Sequence, residues 1–110
     1  MSIEPPAKLL ELLQTLGLAS PLQVRALAGR VRRMARDLPL FDTLWVDALV
    51  QSRILSGFQA AEINAGRGES LRVGPYVLCA RLAWPEYAAA YRARRIDSRE
   101  TVRLLVWDAV

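Results

Sequence analysis

The stretch SGFQAAEINAGRGESLRVGPYVL, Ser56 to Leu78, decides how the chain divides. Ser56 is a favoured helix N-cap, and Phe58, Ala61 and Ile63 come next as the apolar positions of a short helix. Asn64-Ala65-Gly66 closes that helix. Glycines at 66, 68 and 74 then make a loop, and a strand pattern opens at Tyr76. Residues upstream of this junction read as helix, and residues downstream of it read as strand.

Upstream, Pro5-Pro6 sets an extended entry, and Pro6 suits the first turn of a helix because its missing N–H costs nothing there. Ala7 to Leu16 carries Leu9, Leu10, Leu12, Leu13 and Leu16 as a broad apolar stripe, stopped by Gly17. Ser20-Pro21 starts a second helix that runs to about Asp37. Val24, Leu27, Ala28, Val31, Met34, Ala35 and Leu38 share one of its faces, and Arg25, Arg32, Arg33 and Arg36 the other. Pro39 ends it. Asp42 reads as the next N-cap, and the helix from Thr43 to about Arg53 buries Leu44, Trp45, Ala48 and Leu49.

Two segments align without gaps, LLQTLGLASPLQV (Leu12–Val24) and ALVQSRILSGFQA (Ala48–Ala60). Ser20 falls on Ser56, Gln23 on Gln59, Leu22 on Phe58 and Leu18 on Ile54. Each copy reads as a helix end, a short apolar turn, a Ser cap and a new helix. One such hairpin cannot bury its own stripe, so two packed face to face are expected.

Beyond the junction, Tyr76–Arg81, Ala88–Arg94 and Thr101–Trp107 read as strands, separated by Pro85 and by Asp97-Ser98. Both connections are too short for a crossover helix, which makes antiparallel pairing in chain order the economical topology. The expectation is an α+β chain: about four short helices in two hairpins (residues 1–66), a linker (67–75), and a three-stranded antiparallel sheet (76–110) covered on one face by the helices.

Composition narrows the chemistry. Of the 110 residues, 53% are hydrophobic and 24% charged, which suits a packed globular chain. Lys8 is the one lysine among 15 basic residues, and the net charge is +4. Arginine in place of lysine together with abundant alanine is what a GC-rich genome produces, so a nucleic-acid partner is not expected from charge alone. The absence of histidine removes Ser-His and Cys-His nucleophile pairs and histidine metal ligands. One cysteine, Cys79, excludes an internal disulfide; within YVLCARL it reads as a buried structural thiol. No apolar run approaches the length of a membrane span, and MSIEPPAKLLELL has neither a basic leader nor a cleavage site. The expectation is a cytoplasmic protein with no metal, no cofactor and no membrane partner.

The run Ile54-Leu55-Ser56-Gly57-Phe58-Gln59, then Gly66-Arg67-Gly68, Leu71, Val73-Gly74 and Tyr76-Val77-Leu78, resembles bacterial eukaryote-like serine/threonine protein kinases with a small helical segment ahead of the kinase domain. The likeness continues through Leu82, Tyr91 and Ala93 into Val102-Arg103-Leu104-Leu105-Val106. It implies the first strands of a nucleotide-binding lobe. The residues that would hold nucleotide are replaced: Ala83, Pro85 and Ala88 stand where the family has loop glycines, and Leu105 where it has the phosphate-pairing lysine. Proline has no N–H to offer a phosphate, and alanine resists the conformations glycine supplies. Arg103, one pleat away, is not an equivalent for that lysine. These 110 residues hold no catalytic loop and no metal-binding Asp-Phe-Gly.

Three readings are open. The first is a non-catalytic interaction or regulatory module with a degenerate kinase-type sheet, acting on a protein partner or on the rest of its own chain. Its sheet edge would offer a route to homo-oligomers, and the arginine face Arg25, Arg32, Arg33 and Arg36 is its candidate surface. In the second, a longer parent chain carries the catalytic parts of a working kinase. In the third, the helix Ser20–Leu38 reads a nucleic-acid groove through Gln23 and Arg25.

Overall fold

The computed structural model describes residues 3–36, 39, 41–84 and 89–106. Among these, the chain is α+β, with five α-helices, one 3-10 turn and a four-stranded antiparallel sheet. The helices are α1 (Ala7–Thr15), α2 (Pro21–Arg25), α3 (Ala28–Ala35), α4 (Asp42–Gln51) and α5 (Gly57–Asn64). The strands are β1 (Arg72–Val73), β2 (Tyr76–Leu82), β3 (Ala89–Arg95) and β4 (Thr101–Val106), paired in chain order. The molecule is elongated, 54 × 27 × 19 Å, with helices at one end and sheet at the other.

Three expectations are corrected. The sheet has four strands, because Arg72 and Val73 pair with Val77 and Tyr76 across a tight turn at Gly74, which has φ +57°. The run from 67 to 75 is therefore folded: Gly68–Leu71 forms the 3-10 turn, and Leu71 is fully buried. The second helix is broken in two. At Leu27 the bond tightens to the Val24 carbonyl at 3.0 Å, and α3 restarts at Ala28 with Gly29, a poor helix former, in its first turn. Finally, Asp42 lies inside α4, whose cap position is Phe41 with no side-chain bond. The expected strand ends at Ala88 and Trp107, and the helix positions Asp37 and Leu38, lie outside the described residues.

The repeat holds at the level of individual hydrogen bonds. After α1, Leu18 N–H reaches the Leu13 carbonyl (2.9 Å) and Gly17 N–H the Gln14 carbonyl (3.1 Å). After α4, Ile54 N–H reaches Leu49 (2.9 Å) and Arg53 N–H reaches Val50 (3.0 Å). These are paired Schellman closures, and they need a left-handed residue at the turn. Gly17 supplies φ +67° and Arg53 φ +61°. Each turn then enters a capping box, Ser20 with Gln23 and Ser56 with Gln59.

Two apolar clusters result. Leu9, Leu13, Val24, Val31, Trp45, Ala48 and Leu49 form the helical core, so Trp45 is a core residue. Leu16, Leu71, Val77, Leu78 and Ala93 form a second cluster under the sheet, joined by half-buried Phe58, Tyr91, Val102 and Leu104. Gly17 lies between the two units: a Cβ there would sit 2.9 Å from Ile96 Cγ2.

Candidate interaction surface

Strand alternation divides the sheet residues between two faces. Ala93 pairs with Leu78 and Val102, and Tyr91 with Leu104; this face meets α5, where Phe58 and Tyr91 rings lie 5.9 Å apart. Arg92 pairs with Ala80 and Arg103, and Arg94 with Val77 and Thr101; these share the other face, which is exposed at Arg92 and Arg103 and covered at its helical end, where Val77 is fully buried and Arg94 half-buried. The register slips between Leu78 and Ala80, which leaves Cys79 as the extra residue. Its thiol is half-buried rather than buried as expected, with Sγ 3.6 Å from the Val77 carbonyl oxygen.

The second capping box closes the open edge of β2 at this slip. Gln59, only 3% exposed, accepts from Ser56 N–H through Oε1 (2.9 Å) and donates from Nε2 to the Leu78 carbonyl (2.9 Å). Ser56 Oγ accepts from Gln59 N–H (3.1 Å) and donates to the Cys79 carbonyl (2.5 Å). Two carbonyls left without ladder partners are thus satisfied by a helix start. The sequence marks Gln59 only as a repeat position matching Gln23; nothing in it signals the bonds to β2.

On the outer face, Leu82, Ala83, Trp84, Arg92, Thr101, Val102 and Arg103 line an open depression of about 520 Å3. The Arg103 guanidinium stands over the Trp84 ring, 5.5 Å from its centroid. This is a cation–π distance, and it sets a charged, planar group against the Trp84 ring. Ala83 is exposed, and Leu105 is half-buried on β4 opposite Ala90, on the face that also carries Arg103. Pro85 and Ala88 lie outside the described residues.

The expected arginine face on the helices is not a single cluster. Arg25, on α2, pairs with Glu4 at 3.1 Å, both side chains being at least half exposed, so the pair is well screened. Arg32 and Arg33 occupy the last turn of α3, where cations complement the helix dipole, and Arg36 is its C-cap with φ +52°. Gln23 accepts from Ser20 N–H at 2.8 Å, which commits it to the cap of a five-residue helix.

Two more ion pairs lie at turns. Arg67 grips Glu62 with two bonds, 2.9 and 3.1 Å, and Arg95 Nε reaches Asp97 at 2.8 Å. The Arg67 hydrogen bond holds the Glu62 carboxyl below its ordinary pKa; slight desolvation opposes this and the Arg67 charge adds to it. Among the described residues no group of acids, cysteines or histidines could hold a metal ion, and no helix is long and apolar enough to cross a membrane. No protein-family model, no curated protein and no solved structure matches the chain.

Proposed function

We propose that this chain is a non-catalytic protein-interaction or regulatory module, related to the N-terminal region of bacterial serine/threonine protein kinases and unable to grip nucleotide. One observation carries the reading: Arg103 lies across Trp84 beside Leu82 and Ala83, where the resemblance would begin the phosphate-covering loop. The charged and aromatic side chains around that depression are two guanidinium groups, Arg92 and Arg103, and one indole, Trp84. The aliphatic Leu105 stands in the place of the lysine. A cleft that holds a triphosphate needs backbone N–H groups and an ammonium aimed at its oxygens.

The hydrogen bonds and shared apolar cluster between the two ends support a scaffold role. Gln59 and Ser56 fasten α5 to β2, and Leu16 and Leu71 are buried in the sheet-side cluster. The helices thereby fix the sheet's orientation, which suits a surface presented to a partner.

A thermal-shift titration with Mg-ATP tests the reading. No change in melting temperature is expected. Saturable stabilisation would refute it, because a ligand at one hundred times its dissociation constant adds about 2.7 kcal/mol.

A further inference from the structure

We propose that the outer face of the sheet is a docking site for an acidic peptide segment, held by Arg92, Arg94 and Arg103, with Arg53 at the helical end. The inference rests on the interaction-module reading and adds the chemistry of the partner.

The register makes the case. Arg92 and Arg103 are directly opposed across β3 and β4. Like charges at that position destabilise a sheet unless a counter-charge is present. The strands supply none: YVLCARL, AAYRARR and TVRLLV contain no Asp or Glu. Among the described residues the three ion pairs lie elsewhere, at Glu4, Glu62 and Asp97. Arg95, which has a carboxylate partner, points to the core-side face with Tyr76, so its pairing does nothing for the outer face. Arg92 and Arg103 line the depression beside Trp84, while Arg94 and Arg53 line a second cavity of about 310 Å3 where β3 meets the α4–α5 turn. Arg92 and Arg103 thus flank one depression on the exposed part of the face, and Arg94 and Arg53 flank a second cavity at its helical end.

The spacing favours a peptide. Arg92 and Arg94 are alternate residues of one strand, which separates them by about 6.5–7 Å. An extended peptide repeats its side chains at the same interval, so acids at every second position meet the arginines one to one. A guanidinium fork also matches a carboxylate in two parallel hydrogen bonds. Single-stranded nucleic acid would need exposed rings on which to stack its bases. Tyr76 and Tyr91 belong to the core-side cluster, and the Trp84 ring already has Arg103 over it.

Fluorescence anisotropy on the full chain tests this, using a dye-labelled eight-residue peptide of alternating Glu and Thr at low salt. Saturable binding that weakens with salt is expected, with no binding of the matching Lys–Thr peptide. The double variant Arg92→Gln/Arg103→Gln, checked for folding by circular dichroism, should bind about tenfold or more weakly, since it loses two charge-assisted contacts. Lys8→Gln/Arg30→Gln, on α1 and α3, should bind as the parent does. Absence of saturable binding, equal loss in both double variants, or tighter binding of an oligothymidylate than of the peptide would overturn the proposal. If none of these ligands binds and Mg-ATP is also inert, the docking proposal fails alone. If Mg-ATP binds through Arg92 and Arg103, the interaction-module reading fails with it.

Discussion

Gln59 Nε2 donates to the Leu78 carbonyl oxygen at 2.9 Å, and this bond ties the helical unit to the sheet. Its counterpart in the first repeat, Gln23, is exposed and caps α2 without reaching a strand. The same local motif therefore has two structural weights, which substitution can separate.

Gln59→Ala removes the acceptor for Ser56 N–H and the donor to Leu78, leaving buried polar groups unpaired. We expect a loss of about 2–3 kcal/mol by urea denaturation. Gln23→Ala, at an exposed cap, should cost about 0.5 kcal/mol. Equal losses at the two sites would show that the bond to β2 contributes nothing.

The two Schellman turns place different residues in the left-handed conformation, Gly17 in one and Arg53 in the other. Arg53→Gly relieves a side chain at φ +61° and should raise stability by about 0.5–1 kcal/mol. Gly17→Ala does the opposite, by about 1–2 kcal/mol for the backbone alone, with the Ile96 contact adding to it. Thermal denaturation of the pair should move in opposite directions.

Much of this was legible in the chain, and the failures have physical causes. The Ser caps at 20 and 56 and the turn glycine at 17 mark the hairpins because capping is local chemistry, satisfied within a few residues. The apolar stripes place Leu13, Val24, Val31, Trp45 and Leu49 in the core as expected. β1 is hidden because two exposed residues, Arg72 and Val73, carry no alternation to detect, and their pairing depends on the turn at Gly74. The break at Leu27 is a change of bond register inside an otherwise continuous helical pattern. The arginines of the outer face escape a reading by helix faces. They become neighbours only when Arg92 and Arg103, distant in sequence, are set opposite each other by the β3–β4 register.

Acid should loosen the α5 terminus. Glu62 has a folded pKa below its unfolded value, so its contribution is complete above the ordinary carboxylate range and is lost as pH falls through the folded value. The stability difference between the parent and Glu62→Gln should shrink between about pH 6 and about pH 3. A difference that stays constant over that range would mean the Arg67 pair has no effect on folding.

Amide chemical shifts of the 15N-labelled chain during a Mg-ATP titration test the central claim most directly, monitored at Leu82, Ala83, Trp84, Arg103 and Leu105. With Arg103 over Trp84 and no ammonium at position 105, these resonances should stay in place up to millimolar nucleotide. Saturable movement of this set, abolished by Arg103→Ala, would contradict the account.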